Sequence, residues 1–330
     1  MSDTFQQPAQ VPMTMGQILD RIARIMRTHF RLLMGIAAVP SVALFLLMAA
    51  WVGFIFLTLG PQLGMKSGTP PALPFPPFLL AALACPIEVI LILICAIYLP
   101  AACFAAVQAD TGAAVSFRDA YVAGWRSFGR AFWMMILMGI FVLAPLFVVG
   151  GLFAACVALG VHMAGAGVSP TAGLFLIPLI VLFYLAFLVY SILIAIRFSV
   201  AMPACVVENI GAWRAMQRSA VLTRGAKGRI FLVFLIVYAV SYIANFLCIA
   251  VFYAVGAVGA LAAMAAHVDV HSPALFILIG LAAIAYLGVM VVCASFSYAT
   301  ITVAQTVLYH DQRLRFDGAA AATLPQGDPA

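Results

Sequence analysis

The sequence predicts an all-α integral membrane protein, with six transmembrane helices and three amphipathic elbow helices on the cytoplasmic face. Three observations carry this expectation. Of 330 residues, 66% are hydrophobic and 8% are charged, whereas an ordinary soluble domain is about 25% charged. Six apolar regions each exceed the about 20 residues that a helix needs to cross a bilayer. All of the 16 Lys and Arg residues except Lys66 fall in segments that six crossings place on one side, and basic residues collect on the cytoplasmic side of membrane proteins.

The elements follow in order. Residues 1–13 are polar and Pro-containing and read as a disordered tail; no cleavable signal peptide is expected, and the first span is expected to be its own insertion signal. A single membrane domain is expected over residues 14–309. Its first elbow starts at Thr14, which has capping-box spacing to Gln17, and places Leu19, Ile22, Met26 and Phe30 on one helical face away from Arg21, Arg24 and Arg27. Spans are expected at about 32–59 and 78–107, a second elbow at the Ser116–Asp119 capping box, then spans at about 131–161 and 172–196. A third elbow begins at Asn209 or Gly211, with Trp213, Met216 and Ala220 on its apolar side. Spans at about 230–264 and 275–308 follow, and residues 310–330 read as a disordered cytoplasmic tail. The excess length of several spans implies tilt or kinks at Pro40, Pro86, Pro100 and Pro145.

The elbows recur about every 100 residues, each followed by two spans and then an acidic residue: Asp110, Glu208 and Asp311. The chain therefore reads as three copies of elbow plus hairpin, compatible with a pseudo-threefold bundle. Such elbows lie in the interface plane with their arginines toward headgroups. The net charge of +6 reports this topology, and arginines spread over four juxtamembrane segments argue against nucleic-acid binding.

Within the spans, Glu88 sits roughly ten residues into span 2, about 15 Å down at the helical rise. A charged group there costs on the order of 3 kcal/mol, so Glu88 is either a proton or cation site or a neutral carboxyl that locks helix packing. Tyr238, Ser241, Tyr242 and Asn245 recur on one face of span 5 at matching depth and are expected to give it a partner surface, through helix association or a polar cavity. Gly256 with Ala260 and Gly259 with Ala263 have the small-xxx-small spacing of close helix packing. The seven cysteines lie in or beside apolar segments and read as small buried residues. In the last external loop, His267, Asp269 and His271 alternate as zinc-type ligands, but a site needs a fourth, for which His162 is the one candidate. No metal or cofactor is expected, and no catalytic constellation points to an enzyme.

The stretch "IAIRFSVAMPACVVENIGAWRAMQRSAVLTRG", with Arg197, Pro203, Glu208, Ala215, Arg218, Ser219, Leu222, Thr223 and Gly225, resembles a bacterial six-span family. That family is described as the membrane domain of glycerophosphoryl diester phosphodiesterases. "MTMGQILDRIARIMRTHFRLL" near the start resembles it too, as does "LYHDQRLRFDG", with Tyr309, Asp311 and Arg313. The resemblance covers roughly residues 13–318. It implies a multi-pass inner-membrane protein with both termini in the cytoplasm. The catalytic barrel of the named relatives would need about 250 residues, and phosphodiesterase activity is not expected of this chain. The function expected is non-enzymatic: organising or handling lipid, with anionic lipids bound by Arg197, Arg218 and Arg224, or supporting a protein partner or a further copy through the cytoplasmic face. The alternative is a transporter or channel-like protein using Glu88 and the span 5 stripe.

Overall fold

A computed structural model describes residues 12–63, 77–164, 176–265 and 273–322, and every element among them is an α-helix. The chain is an all-α membrane protein. Six helices are long and apolar enough to span a bilayer: α2 (Phe30–Leu63), α3 (Pro77–Thr111), α5 (Phe128–Ala164), α6 (Leu176–Phe198), α9 (Lys227–Ala265) and α10 (Pro273–Ala322). Between them lie α1 (Met15–Thr28), α4 (Phe117–Arg126), α7 (Ala201–Val207) and α8 (Ala212–Leu222).

Three of these short helices are the elbows. Both expected capping boxes form: the Thr14 side chain accepts from the Gln17 N–H while Gln17 accepts from the Thr14 N–H, and Ser116 and Asp119 do the same. Each box satisfies amide donors that a helix start leaves free. The third elbow starts at Gly211 without a side-chain cap, after Asn209 has taken a left-handed φ of 53°. The buried stripe of α1 is Ile18, Ile22, Ile25 and Met26. Sequence spacing had included Leu19 and Phe30; Leu19 is half-buried and Phe30, 46% exposed, opens the next helix. On α8, Met216 is buried as expected, but Trp213 is 53% exposed.

Helix α10 forms the hub, packing against α2, α9, α3 and α1, with α7 and α8 at its elbow end. Helix α3 packs against α2, α4, α5, α7 and α10. These two carry most of the interior: 44% of the apolar stretch of α3 and 39% of that of α10 are buried, against 11% for the third and fourth spans. The core concentrates at the elbow end, where Ile18, Ile36, Val233, Val307 and Tyr309 are fully buried. Farther along α9, Val251, Val255, Val258 and Leu261 are exposed, as apolar side chains facing lipid are.

Two expectations need correction. Residues 310–322 are not a disordered tail: α10 continues through them, because Asp311 and Gln312 are buried against neighbouring elements and the Ala-rich end favours helix. Among the described residues, Gly256 and Gly259 make no close helix approach, since a Cβ at either would meet no atom within 4 Å. The close approach is at Gly124, where a Cβ would lie 2.5 Å from the Ile97 carbonyl oxygen and 2.8 Å from the Ala101 Cβ. Pro86 and Pro100 lie inside α3 and Pro145 inside α5.

Candidate functional site

The three acids that close the hairpins meet at the elbow end and face inward. Asp110, 2% exposed, accepts from Arg21 Nε at 2.5 Å and lies 2.9 Å from His310 Nδ1. Glu208 accepts from Arg218 Nε at 3.1 Å and from the Tyr309 hydroxyl at 2.8 Å. Asp311, fully buried, accepts from the Met13 N–H at 2.8 Å and from Arg315 Nε at 3.0 Å, with Arg229 at 3.2 Å. Arg229 and Arg315 also donate to the Met13 carbonyl. Three consecutive residues of α10, Tyr309, His310 and Asp311, thus reach three different parts of the chain. Successive side chains on a helix point about 100° apart, which suits one helix to tying three surrounding units.

A second cluster organises the break between α6 and α7. In an unbroken helix the Ser199 carbonyl would receive a bond from residue 203, but Pro203 has no N–H to give. The helix stops at Phe198 and restarts at Ala201, with Pro203 inside the first turn, where its missing donor is tolerated. The Arg197 carbonyl freed at this break accepts from the Ser219 hydroxyl at 2.8 Å and the Thr223 hydroxyl at 3.3 Å. Gly225, at φ 84°, supplies the left-handed residue that turns the chain from α8 into α9. These motif residues therefore fix how the fourth span joins the elbow end. Arg218 is committed to Glu208 and lies over the Phe316 ring at 5.2 Å. Arg313 is exposed one turn beyond Tyr309.

With Asp110, Glu208 and Asp311 turned inward and only Asp20 and Asp119 exposed among the described acids of this end, its outer surface is basic. Arg24, Arg27, Arg118, Arg126, Arg214 and Arg224 are all exposed, and Arg197 is exposed beside the α6–α7 break. Among them stand Trp125, Trp133 and Trp213, 66%, 61% and 53% exposed; tryptophan favours the membrane–water boundary. Exposed Asp119 is engaged in its cap, and the Ser116 hydroxyl bonded to it holds its carboxyl below the usual aspartate range. Burial raises the Tyr121 phenol to about 12, and its hydroxyl donates to the Ile36 carbonyl at 2.9 Å, joining the second elbow to the first span.

The intramembrane residues do not assemble as expected. Glu88 is exposed on α3, with no hydrogen-bond or ion-pair partner among the described residues. Helix α10 packs against both α3 and α9, and the α9 stripe turns to it or to the outside. Asn245 donates to the Ser297 hydroxyl at 2.9 Å, while Tyr238 and Tyr242 are 43% and 71% exposed. Ser241 is buried, and its hydroxyl has no partner among the described residues. His267, Asp269 and His271 lie outside the described residues. Among the described residues, no three His, Cys, Asp or Glu side chains converge as a metal site needs.

Sequence reading missed His310 and the Met13 backbone as parts of the network. Their signal was weak: His310 sits between two residues already singled out, and a backbone group has no residue type to read. Comparison with known protein families, with curated proteins and with solved structures finds no match to this chain, so a functional reading rests on its own residues and geometry.

Proposed function

We propose that this is a bacterial inner-membrane protein, with both termini in the cytoplasm, that binds and organises anionic lipid through its elbow face and performs no catalysis of its own. The observation that carries the reading is the separation of charge at that face. Asp110, Glu208 and Asp311 are consumed inside the fold, which leaves exposed arginines and tryptophans on the outside. Each juxtamembrane basic residue contributes roughly 1 kcal/mol near an anionic surface. With only Asp20 and Asp119 exposed among the described acids of that face, its arginines outnumber them and the attraction persists. The motif arginines divide accordingly: Arg218 serves the fold, while Arg197 and Arg224 are available to phosphate. A protein partner or a further copy of the chain would dock on the same face.

The transporter reading draws less support, because Glu88 and the α9 stripe do not share a surface. Native mass spectrometry of the protein reconstituted with phosphatidylglycerol and phosphatidylethanolamine tests the proposal. Phosphatidylglycerol should be retained preferentially, and replacing Arg214 and Arg224 with Gln should weaken its retention by about fivefold per residue, with added salt acting in the same direction. Equal retention of both lipids by the parent protein would overturn the reading. In intact cells, a cysteine at Gln217 should resist an impermeant thiol reagent while one at Lys66 reacts; the reverse pattern would overturn the orientation.

A further inference from the structure

The fourth span stands apart from the hub. Helix α6 packs against α5, α8 and α9 rather than α3 or α10, and behind it lies an apolar cavity of about 380 Å³. Its walls include Met134 and Met138 of α5, Ile192 and Ala195 of α6, and Phe231 and Tyr238 of α9. Ile192, Phe231 and Tyr238 are also exposed on the bundle's outside, so the cavity opens sideways, between α6 and α9, toward lipid. Its size falls within the roughly 300–1,000 Å³ of small-molecule sites. Methionine is flexible and polarisable, and packs against chains of varied shape.

Cationic groups stand at the elbow end of this cavity. Lys227, exposed, lies four residues before Phe231 on the same face of α9, about 6 Å nearer the elbow end. Exposed Arg197 adjoins Ile196 and Phe198, both of which line the cavity. Gln305 of α10 lines it deeper, near the level of Tyr238, because α10 runs antiparallel to α9 through the Arg229–Asp311 and Asn245–Ser297 contacts. From Phe231 to Tyr238 the wall then continues for about 10 Å. Cations at headgroup level and an apolar slot beneath them match, in order, the phosphate and the chain of a phospholipid.

We propose that this cavity takes one acyl chain of an anionic phospholipid, with the phosphate at Lys227 and Arg197. The inference rests on the lipid-binding reading above and gives it one defined site. It is tested on the full chain in nanodiscs containing phosphatidylglycerol with a photoreactive diazirine on one acyl chain. Irradiation and peptide mass spectrometry should place adducts on the cavity faces of α5, α6 and α9. Ala195→Trp, which fills the slot from an exposed position, should remove those adducts, and Leu235→Trp serves the same purpose should the first variant fail to fold. Lys227→Gln should lower cavity labelling by about fivefold, the equivalent of roughly 1 kcal/mol for one basic residue.

Adducts spread evenly onto lipid-facing positions such as Val251 and Leu261, or unmoved by either tryptophan, would overturn the site. The preference for phosphatidylglycerol in native mass spectrometry would then still stand or fall by itself. Equal cavity labelling by a matched phosphatidylcholine probe would overturn the anionic assignment.

Discussion

Replacing Asp311 with Asn tests whether the inward-facing acids hold the elbow end together. The carboxylate is fully buried and faces two guanidiniums and the Met13 N–H. Removing one partner of a fully buried ion pair costs about 3–5 kcal/mol, because a charge is left uncompensated. Here Arg229 and Arg315 are 22% and 38% exposed and keep the Met13 carbonyl as an acceptor. Water can therefore take up part of their charge, which brings the expected loss to the lower end, about 2–3 kcal/mol. Asn retains an oxygen for the Met13 N–H. Asp311→Ala does not, and should cost about 1–3 kcal/mol more by orphaning that donor. Thermal unfolding in nanodiscs measures the order parent, Asn, Ala. Limited proteolysis around residues 12–14 should quicken in the same order, since Met13 is what the carboxylate anchors. Adding Arg229→Gln to Asp311→Asn should cost less than the sum of the single changes, because the two groups share one interaction. An Asn variant within about 0.5 kcal/mol of the parent, the range of an ordinary surface change, would refute the argument that this network carries stability.

Three further outcomes follow from the packing. Gly124→Ala should destabilise by about 1–3 kcal/mol through overpacking against α3, whereas Gly139→Ala, with open space around it, should be near neutral; equal effects would show that the α3–α4 approach is not tight. Ser219→Ala combined with Thr223→Val should cost about 1–3 kcal/mol by leaving the Arg197 carbonyl unpaired, and should raise hydrogen exchange at the end of α6; unchanged exchange there would mean the two hydroxyls do not hold the break. Glu88→Leu should leave stability unchanged or raise it, since an isolated carboxyl in a span is costly and this one has no partner to lose; a loss above about 1 kcal/mol, the size of an interhelical hydrogen bond in a membrane, would show that Glu88 is bonded.

What could be read from the sequence was local or periodic. Thr14 with Gln17 and Ser116 with Asp119 satisfy donors within one turn, so residue type and spacing suffice, and both boxes form. Span existence was equally legible, because about 20 apolar residues is a length rather than a contact. Tertiary choices were not. Whether α1 buries Leu19 or Ile18 turns on which neighbour it meets, a rotation of one residue. Residues 310–322 have the composition of a tail, yet the partners that order them, Arg229 and Met13, lie far away in the chain. Gly256 and Gly124 are indistinguishable by type; the second is tight only because Ile97 and Ala101 lie opposite. Spacing puts Tyr238, Ser241, Tyr242 and Asn245 on one face of α9, but periodicity cannot say what a face looks at.

The three repeat units are not equivalent, and one residue accounts for much of the difference. Spans α3 and α10 run unbroken to their acids, Asp110 and Asp311, and stay in the hub. The fourth span reaches Glu208 only after breaking ahead of Pro203. Past the break, α7 turns inward and packs against α3, α8 and α10, bringing Glu208 within reach of Tyr309. Before the break, α6 keeps its own direction and stands outside. The inward turn supplies the third member of the acid ring, and the outward course of α6 opens the cavity beside it. Arg197 lies at the junction, its carbonyl held by Ser219 and Thr223 and its side chain exposed next to the cavity wall. A lock at one depth and an opening just below it are therefore two consequences of the same interrupted helix.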